Sequence, residues 1–234
     1  MSVGVEHFAS LTPARAVAIQ ERLARRVRRK PPRTAIRRIA AADCCYSRDD
    51  SLCSAAVVVW DLQTGQEVET RTVLLEVVFP YIPGLFAFRE APAILAVLER
   101  LTARPQLLIC DGHGIAHPRR FGLASHVGVL TGIPTIGCAK KLLCGSFVEP
   151  DADRGSSSPL TDRGEIIGTV LRTRSGVRPL FLSIGHRIDL PTAKRVVLAC
   201  TSRYRLPEPL RAAHRAAAAA VEALHRGGGG SQQR

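Results

Sequence analysis

No stretch of these 234 residues approaches the roughly 20 consecutive apolar residues that a membrane helix needs, so no membrane association is expected. The opening residues, MSVGVEHFASLTPARAV, lack a basic region leading into an apolar run and a small-residue cleavage site, which argues against secretion and for a cytoplasmic protein. C-x-x-C pairs are missing as well. The seven cysteines (Cys44, Cys45, Cys53, Cys110, Cys138, Cys144, Cys200) are odd in number and mostly lie in apolar stretches, so they read as reduced core thiols rather than a disulfide framework or a zinc site. Internal repeats are absent, and the length needs one domain only, read as 1–225 with a flexible Gly-rich tail at 226–234. Acidic residues are few, 20 against 33 Lys and Arg, for a net charge of +13. That excess points to a polyanionic partner, because clustered cations bind phosphates and release condensed counterions. Lysine itself is scarce, only Lys30, Lys140, Lys141 and Lys194, so almost all of the charge is arginine.

Thr12-Pro13 followed by Ile19, Leu23 and Val27 predicts a capped amphipathic helix whose outer face carries Arg22, Arg25, Arg26 and Arg29. That face reads equally well as solvated or as phosphate-contacting. Three β-rich runs follow, Ile36–Cys45, Ala55–Trp60 and Thr70–Phe79, with a turn at Thr64-Gly65, and suggest an antiparallel start to a sheet. Beyond Gly84 the spacing of Ile94, Val97, Leu98 and Leu101 becomes helical. Leu107–Cys110 and Ile133–Gly137 read as short buried strands around a helix at Ser125–Leu130, which implies right-handed crossovers in a mixed or parallel sheet. Glu149–Ser158 reads as a polar loop, Ile166–Arg172 and Pro179–Ile184 as two more strands, and Pro209–Leu224 as a last, alanine-rich helix. The fold class expected is α/β, a central mixed sheet flanked by helices.

Asp43 ends the run Ile39-Ala40-Ala41-Ala42, and Asp111 ends Leu107-Leu108-Ile109-Cys110 just before Gly112. Two carboxylates at the ends of neighbouring strands can converge on one point, and such hard oxygen ligands suit Mg²⁺ or Mn²⁺. Either alone also fits an aspartate that starts a turn. Glu90, early in its helix, is favoured there by the helix dipole and would add a third acid. The segment from Asp111 to Arg120 places His113, His117, Arg119 and Arg120 in one glycine-broken loop able to surround a phosphate, without the glutamate of a zincin helix. Lys140 and Lys141 follow the strand at Ile133–Gly137 and bring ammonium groups to the same sheet edge. Pro80-Tyr81-Ile82-Pro83-Gly84 is a stiff loop that either presents Tyr81 and Ile82 as a wedge between bases or packs its tyrosine on the core.

The strings PYIPGLFAFREAP, DGHGIAHPRRFGLASHVGVLTGIPTIGCAKKLLCG and YRLPEPLRAAH resemble the endonuclease V family from about residue 10 to 220. The resemblance implies a ribonuclease H-like fold and a Mg²⁺-dependent nuclease, with Mn²⁺ as substitute, acting on deaminated bases, chiefly deoxyinosine, in double- or single-stranded DNA. It implies hydrolysis of the second phosphodiester 3′ to the lesion, leaving 3′-hydroxyl and 5′-phosphate ends. It makes Asp43, Asp111, Glu90 and His214 the metal ligands, has Lys140 stabilise charge at the cut phosphate, and has His117 and Arg89 position the backbone. Pro80, Tyr81, Ile82 and Pro83 become the strand-separating wedge, and Gly84, Gly112, Gly137 and Leu143 the pocket for a flipped-out hypoxanthine. One departure from the family pattern is Cys44-Cys45-Tyr46 after Asp43, where a small apolar residue and then glycine or serine are usual. Rival readings are an endoribonuclease for inosine in RNA and a catalytically silent nucleic-acid-binding module. A monomer is expected.

Overall fold

A computed structural model describes Phe8, residues 11–32 and residues 34–227. Thr12 caps helix α1 (Pro13–Ala24), its hydroxyl accepting the Arg15 N–H with proline in the first turn, as the sequence predicts. Strands β1 (Arg38–Tyr46), β2 (Leu52–Asp61) and β3 (Gln66–Glu76) form the expected antiparallel start. Helix α2 (Ala87–Glu99), β4 (Leu107–Cys110), α3 (Leu123–Thr131) and β5 (Thr135–Ala139) follow, with β4 and β5 joining β1 in parallel. Strands β6 (Ser157–Asp162), β7 (Glu165–Leu171) and β8 (Leu180–His186) then return antiparallel. Helices α4 (Leu190–Ala199) and α5 (Glu208–Gly227) close the described chain. The eight strands make one mixed sheet in the order β3-β2-β1-β4-β5-β8-β7-β6.

Strand β6, helix α4 and the end of helix α5 differ from expectation. Strand β6 takes over the end of the expected polar loop and runs to Asp162, pairing with β7 in a hairpin. Helix α4, absent from the expected elements, starts at Leu190 behind the cap residue Asp189, whose carboxylate accepts the Thr192 N–H, in a stretch of weak apolar spacing. Helix α5 extends past Leu224 to Gly227, so the first two residues of the tail expected at 226–234 are helical, and 228–234 lie outside the described residues. No helix among the described residues is long and apolar enough to cross a membrane, and all seven cysteines are free thiols.

The central strands are buried on both faces, and their alternation assigns each residue a side. Ala40, Ala42, Leu108 and Cys110 pack with Phe88 and Ile94 of α2 and Val127 of α3. Ile39, Ala41, Leu107 and Ile109 pack instead with Val196 and Val197 of α4 and Leu210 of α5. On that second face Ala212, Ala213 and Ala217 of α5 lie against Ala56 and Val58 of β2, small residue on small residue, which draws the helix close to the sheet.

Candidate active site

The register of β1 and β4 decides where the two aspartates go. Ala42 pairs with Cys110, so Asp43, still within β1, and Asp111, just past the end of β4, stand side by side where the parallel pairing stops. The alternation along both strands turns them to the α5 face. The Asp111 N–H bonds to the Ala42 carbonyl at 3.1 Å and fixes the pair's backbone. From α5, His214 brings Nδ1 within 2.9 Å of Asp43 Oδ2, while the Cys44 N–H donates to Asp43 Oδ1 at 2.9 Å. Lys140, directly after β5, pairs its ammonium with Asp111. Glu90 enters from α2 and accepts the Tyr46 hydroxyl at 3.4 Å.

These acids share little water. Asp43 is 9% exposed and Glu90 5%. Burial first and the Asp111 charge second push the Asp43 carboxyl up to about 6, against the opposing pull of the Cys44 N–H, Lys140 and His214. Glu90 is pushed well above the usual carboxylate range by burial, with the charges of Asp43 and Asp111 adding to it. Burial opposes the charge on Lys140, but the pair with Asp111 outweighs it and raises the ammonium's pKa. Neighbouring carboxylates that resist ionising together, all oxygen donors, fit a hard divalent cation. As they stand, with Lys140 on Asp111 and His214 on Asp43, no three histidine, cysteine or acidic side chains among the described residues converge closely enough to hold one.

Over the acids opens a cavity of about 530 Å³ lined by Tyr81, Gly84, Gly112, His117, Lys140 and Leu143 among others. Tyr81 is 64% exposed, its ring edge-on to Phe86 at 6.2 Å, so the tyrosine does not pack on the core. Ile82 turns inward against the core instead, and Pro80 and Pro83 stay exposed. His117 is buried and its pKa falls to about 4, by burial first and then by the Arg119 charge. Its Nδ1 accepts the Arg119 N–H at 3.1 Å and its Nε2 meets the Gly84 carbonyl at 3.0 Å, so the ring is neutral with its proton on Nε2.

Two expected residues lie elsewhere. Arg89 does not line the cavity: it is buried behind Tyr46, its guanidinium 4.4 Å from that ring's centre and paired with Asp50. Gly137 lies behind the cavity wall, where a Cβ would come 2.3 Å from the Gly114 nitrogen, so it lets β5 press against the loop carrying Gly112 and His113. The departure at Cys44-Cys45-Tyr46 is accommodated by alternation. Tyr46 reaches Glu90 on one side, and Cys45 lies 3.9 Å from His214 Nδ1 on the other.

Gln20 is a site residue that no sequence pattern marks. On α1 and fully buried, it donates through Nε2 to the carbonyls of Gly84 and Phe121, each at 3.0 Å, and accepts Arg119 Nε at 2.6 Å. Arg119 also donates to the Gly84 carbonyl, at 2.7 Å. A Cβ on Gly84, whose φ is +77°, would sit 2.8 Å from that guanidinium. The stiff loop is thus tied to α1 and to the histidine loop through a single carbonyl.

The family model for endonuclease V matches residues 21–215. An endonuclease V from Roseiflexus sp. is 51% identical over 200 residues, 86% of this chain and 89% of that protein. The crystal structure of the Streptomyces avermitilis endonuclease V superposes with a TM-score of 0.87 at 45% identity, covering 92% of this chain and 95% of that one. Endonuclease V of Ciona intestinalis, in complex with a 24mer DNA containing an inosine followed by a ribo-adenosine, superposes at 0.79 with 26% identity, covering 90% of this chain and 98% of that one. The ribonuclease H-like α/β architecture expected from the sequence stands.

Proposed function

The chain belongs to the endonuclease V nuclease family, and from that premise we propose that it hydrolyses DNA at deaminated bases, chiefly deoxyinosine, cutting the second phosphodiester 3′ to the lesion. The observation that carries this reading is the side-by-side placement of Asp43 and Asp111, with Lys140 beside them, beneath a cavity whose rim holds the exposed Tyr81. Mg²⁺ or Mn²⁺ held by Asp43 and Asp111, with Glu90 and His214 completing the set, would supply a water of lowered pKa and a Lewis acid for the phosphate oxygens. Lys140 offsets the charge that grows on the departing 3′ oxygen, which leaves as a hydroxyl while the phosphate stays on the 5′ oxygen of the downstream fragment. Tyr81, on a loop held rigid by two prolines and by the Gly84 carbonyl, stacks into the space vacated by the flipped base. The apolar wall at Gly84, Gly112 and Leu143 takes the hypoxanthine, and neutral His117 shapes that wall rather than adding charge to it.

The Ciona relative's DNA carries a ribo-adenosine after its inosine, which makes inosine in RNA the second reading. The test is an end-labelled duplex with one deoxyinosine, in Mg²⁺ or in EDTA, cut by wild type and by Asp43→Ala. A metal-dependent nick one nucleotide 3′ of the lesion, absent in the variant, is expected. Intact binding without a nick, together with cleavage of the matching inosine RNA, would transfer the assignment to RNA.

A further inference from the structure

A second cationic feature lies at the opposite end of the strands from the carboxylates. His186, the last residue of β8, pairs with Thr135, the first of β5, whereas Lys140 directly follows the last. Five residues at about 3.3 Å each put roughly 17 Å between the two ends. Around His186 a cavity of about 440 Å³ is lined by Arg25, Arg26, Arg28 and Arg187. All four arginines are exposed, and among the described residues none of them forms an ion pair. Glu165 is taken up by Arg29 and Arg120.

The cluster is held by the fold rather than scattered on it. The Arg28 N–H donates to His186 Nδ1 at 3.3 Å, and the Arg187 N–H donates to the Arg28 carbonyl at 2.6 Å. Arg187 adopts a left-handed backbone, φ +52°, which costs a side-chain-bearing residue about 1 kcal/mol or more. In that conformation its guanidinium donates to the Gly132 carbonyl at the end of α3, at 2.9 Å. The unrelieved charges of Arg187, Arg28 and Arg26 add to burial in depressing the His186 ring, which therefore stays neutral among them. Helix α1 leads there from the active-site rim. Gln20 bonds Gly84 at the rim, and Arg25 lies five residues, about 7.5 Å, further along the axis with exposed Arg22 between.

We propose that Arg25, Arg26, Arg28 and Arg187 form a second polyanion site that holds the phosphodiester backbone of the substrate's flank about five base pairs from the cut. The spacing is the strand length divided by the DNA rise of about 3.4 Å per base pair. The assignment of the polyanion to substrate DNA rests on the proposed endonuclease activity.

The test uses deoxyinosine duplexes whose two flanks are lengthened separately from 3 to 12 base pairs, with wild type and Arg25→Gln/Arg26→Gln/Arg28→Gln. For wild type, KM is expected to fall by about tenfold once one flank passes roughly five base pairs at 0.1 M salt. The triple variant should lose that gain, match wild type in kcat and in KM on the shortest duplex, and show a log KM against log salt slope smaller by about 2 to 3. Equal KM values on the longest duplex, or an equal loss on short and long duplexes, would overturn the site. Should the triple variant melt lower than wild type, Arg25→Gln/Arg26→Gln, which leaves residue 28 intact, repeats the comparison. If wild type nicks none of the duplexes, the activity reading fails. The site is then judged by binding of an undamaged 30-base-pair duplex, where unchanged affinity and salt slope in the variant reject it.

Discussion

At Asp43 a carboxylate nearly removed from water faces a second one, Asp111, and burial followed by that neighbouring charge lifts its pKa to about 6. A carboxyl whose folded pKa lies above its unfolded value favours the fold below the unfolded value and loses that contribution as pH rises through the folded one. At pH 8 the metal-free protein therefore carries the whole penalty, about two pH units or about 3 kcal/mol. Asp43→Asn is expected to raise the unfolding free energy in EDTA at pH 8 by about 1–3 kcal/mol while abolishing the nick, with the gain shrinking as pH falls below 6. Urea unfolding at pH 8 and pH 5 checks it, and a variant no more stable than wild type at pH 8 would refute the strain at Asp43. Gln20 poses the opposite case, a residue that stabilises. Gln20→Leu keeps the volume but leaves the Gly84 and Phe121 carbonyls and the Arg119 guanidinium short of a partner, a loss of about 2–4 kcal/mol. Because the same bonds fix the Tyr81 loop, KM for a deoxyinosine duplex should rise more than kcat falls. A lower melting midpoint with an unchanged KM would show that Gln20 holds the fold and not the loop.

Among the elements, β1 and α5 set the site's geometry through small side chains. Ala213 is fully buried, next in sequence to His214, in the layer where α5 lies on β2. Ala213→Leu overfills that layer at a cost of about 1–3 kcal/mol and pushes His214 away from Asp43. The expected result is a melting midpoint lower by several degrees and a nicking rate reduced beyond what Ala216→Leu gives at its half-buried neighbour. Equal effects at the two positions would remove the link between packing and His214. The same contrast in packing explains how far the fold was legible. Strands with strong apolar runs, such as Leu107–Cys110, could be read to the residue because burial on both faces leaves no other pattern. Strand β6, reading SSPLTD, buries only Leu160 and Pro159 faces out at the sheet's edge, so nothing in its composition separates it from a loop. Helix α4 turns few side chains inward, Thr192, Ala193, Val196 and Val197, and was marked only by its Asp189 cap and Pro191. Asp43 and Asp111 stood out because each follows a buried apolar run, where a carboxylate needs a partner; either alone also fitted a turn, and only the β1–β4 register sets them side by side. Gln20 was hidden because its partners are backbone carbonyls 64 and 101 residues away.

The whole molecule brings together cavity residues from Gln20 to His214, so nearly the full length of the chain contributes to the cavity. Its net charge of +13 sets the terms at the far end of the sheet, where His186 is 6% exposed and lies among arginines that form no ion pair with another described residue. Burial, and then Arg187, Arg28 and Arg26, lower its pKa to about 4. Above pH 6.5 the ring is neutral in both folded and unfolded chains and pH has no leverage through it. As pH falls from 6.5 towards 4 the unfolded chain takes up a proton that the folded one refuses, so stability drops by up to about 1.4 kcal/mol per pH unit, about 3 kcal/mol in all. His186→Gln keeps an acceptor for the Arg28 N–H and removes the titration. Its unfolding free energy should decline less steeply than wild type between pH 6 and pH 4.5, by about 1 kcal/mol per unit, with His117 contributing the same residual slope to both proteins. Parallel declines in urea unfolding across that window would mean that His186 takes its proton inside the fold, and that the surrounding arginines are farther from it, or better screened by salt, than the packed cluster implies.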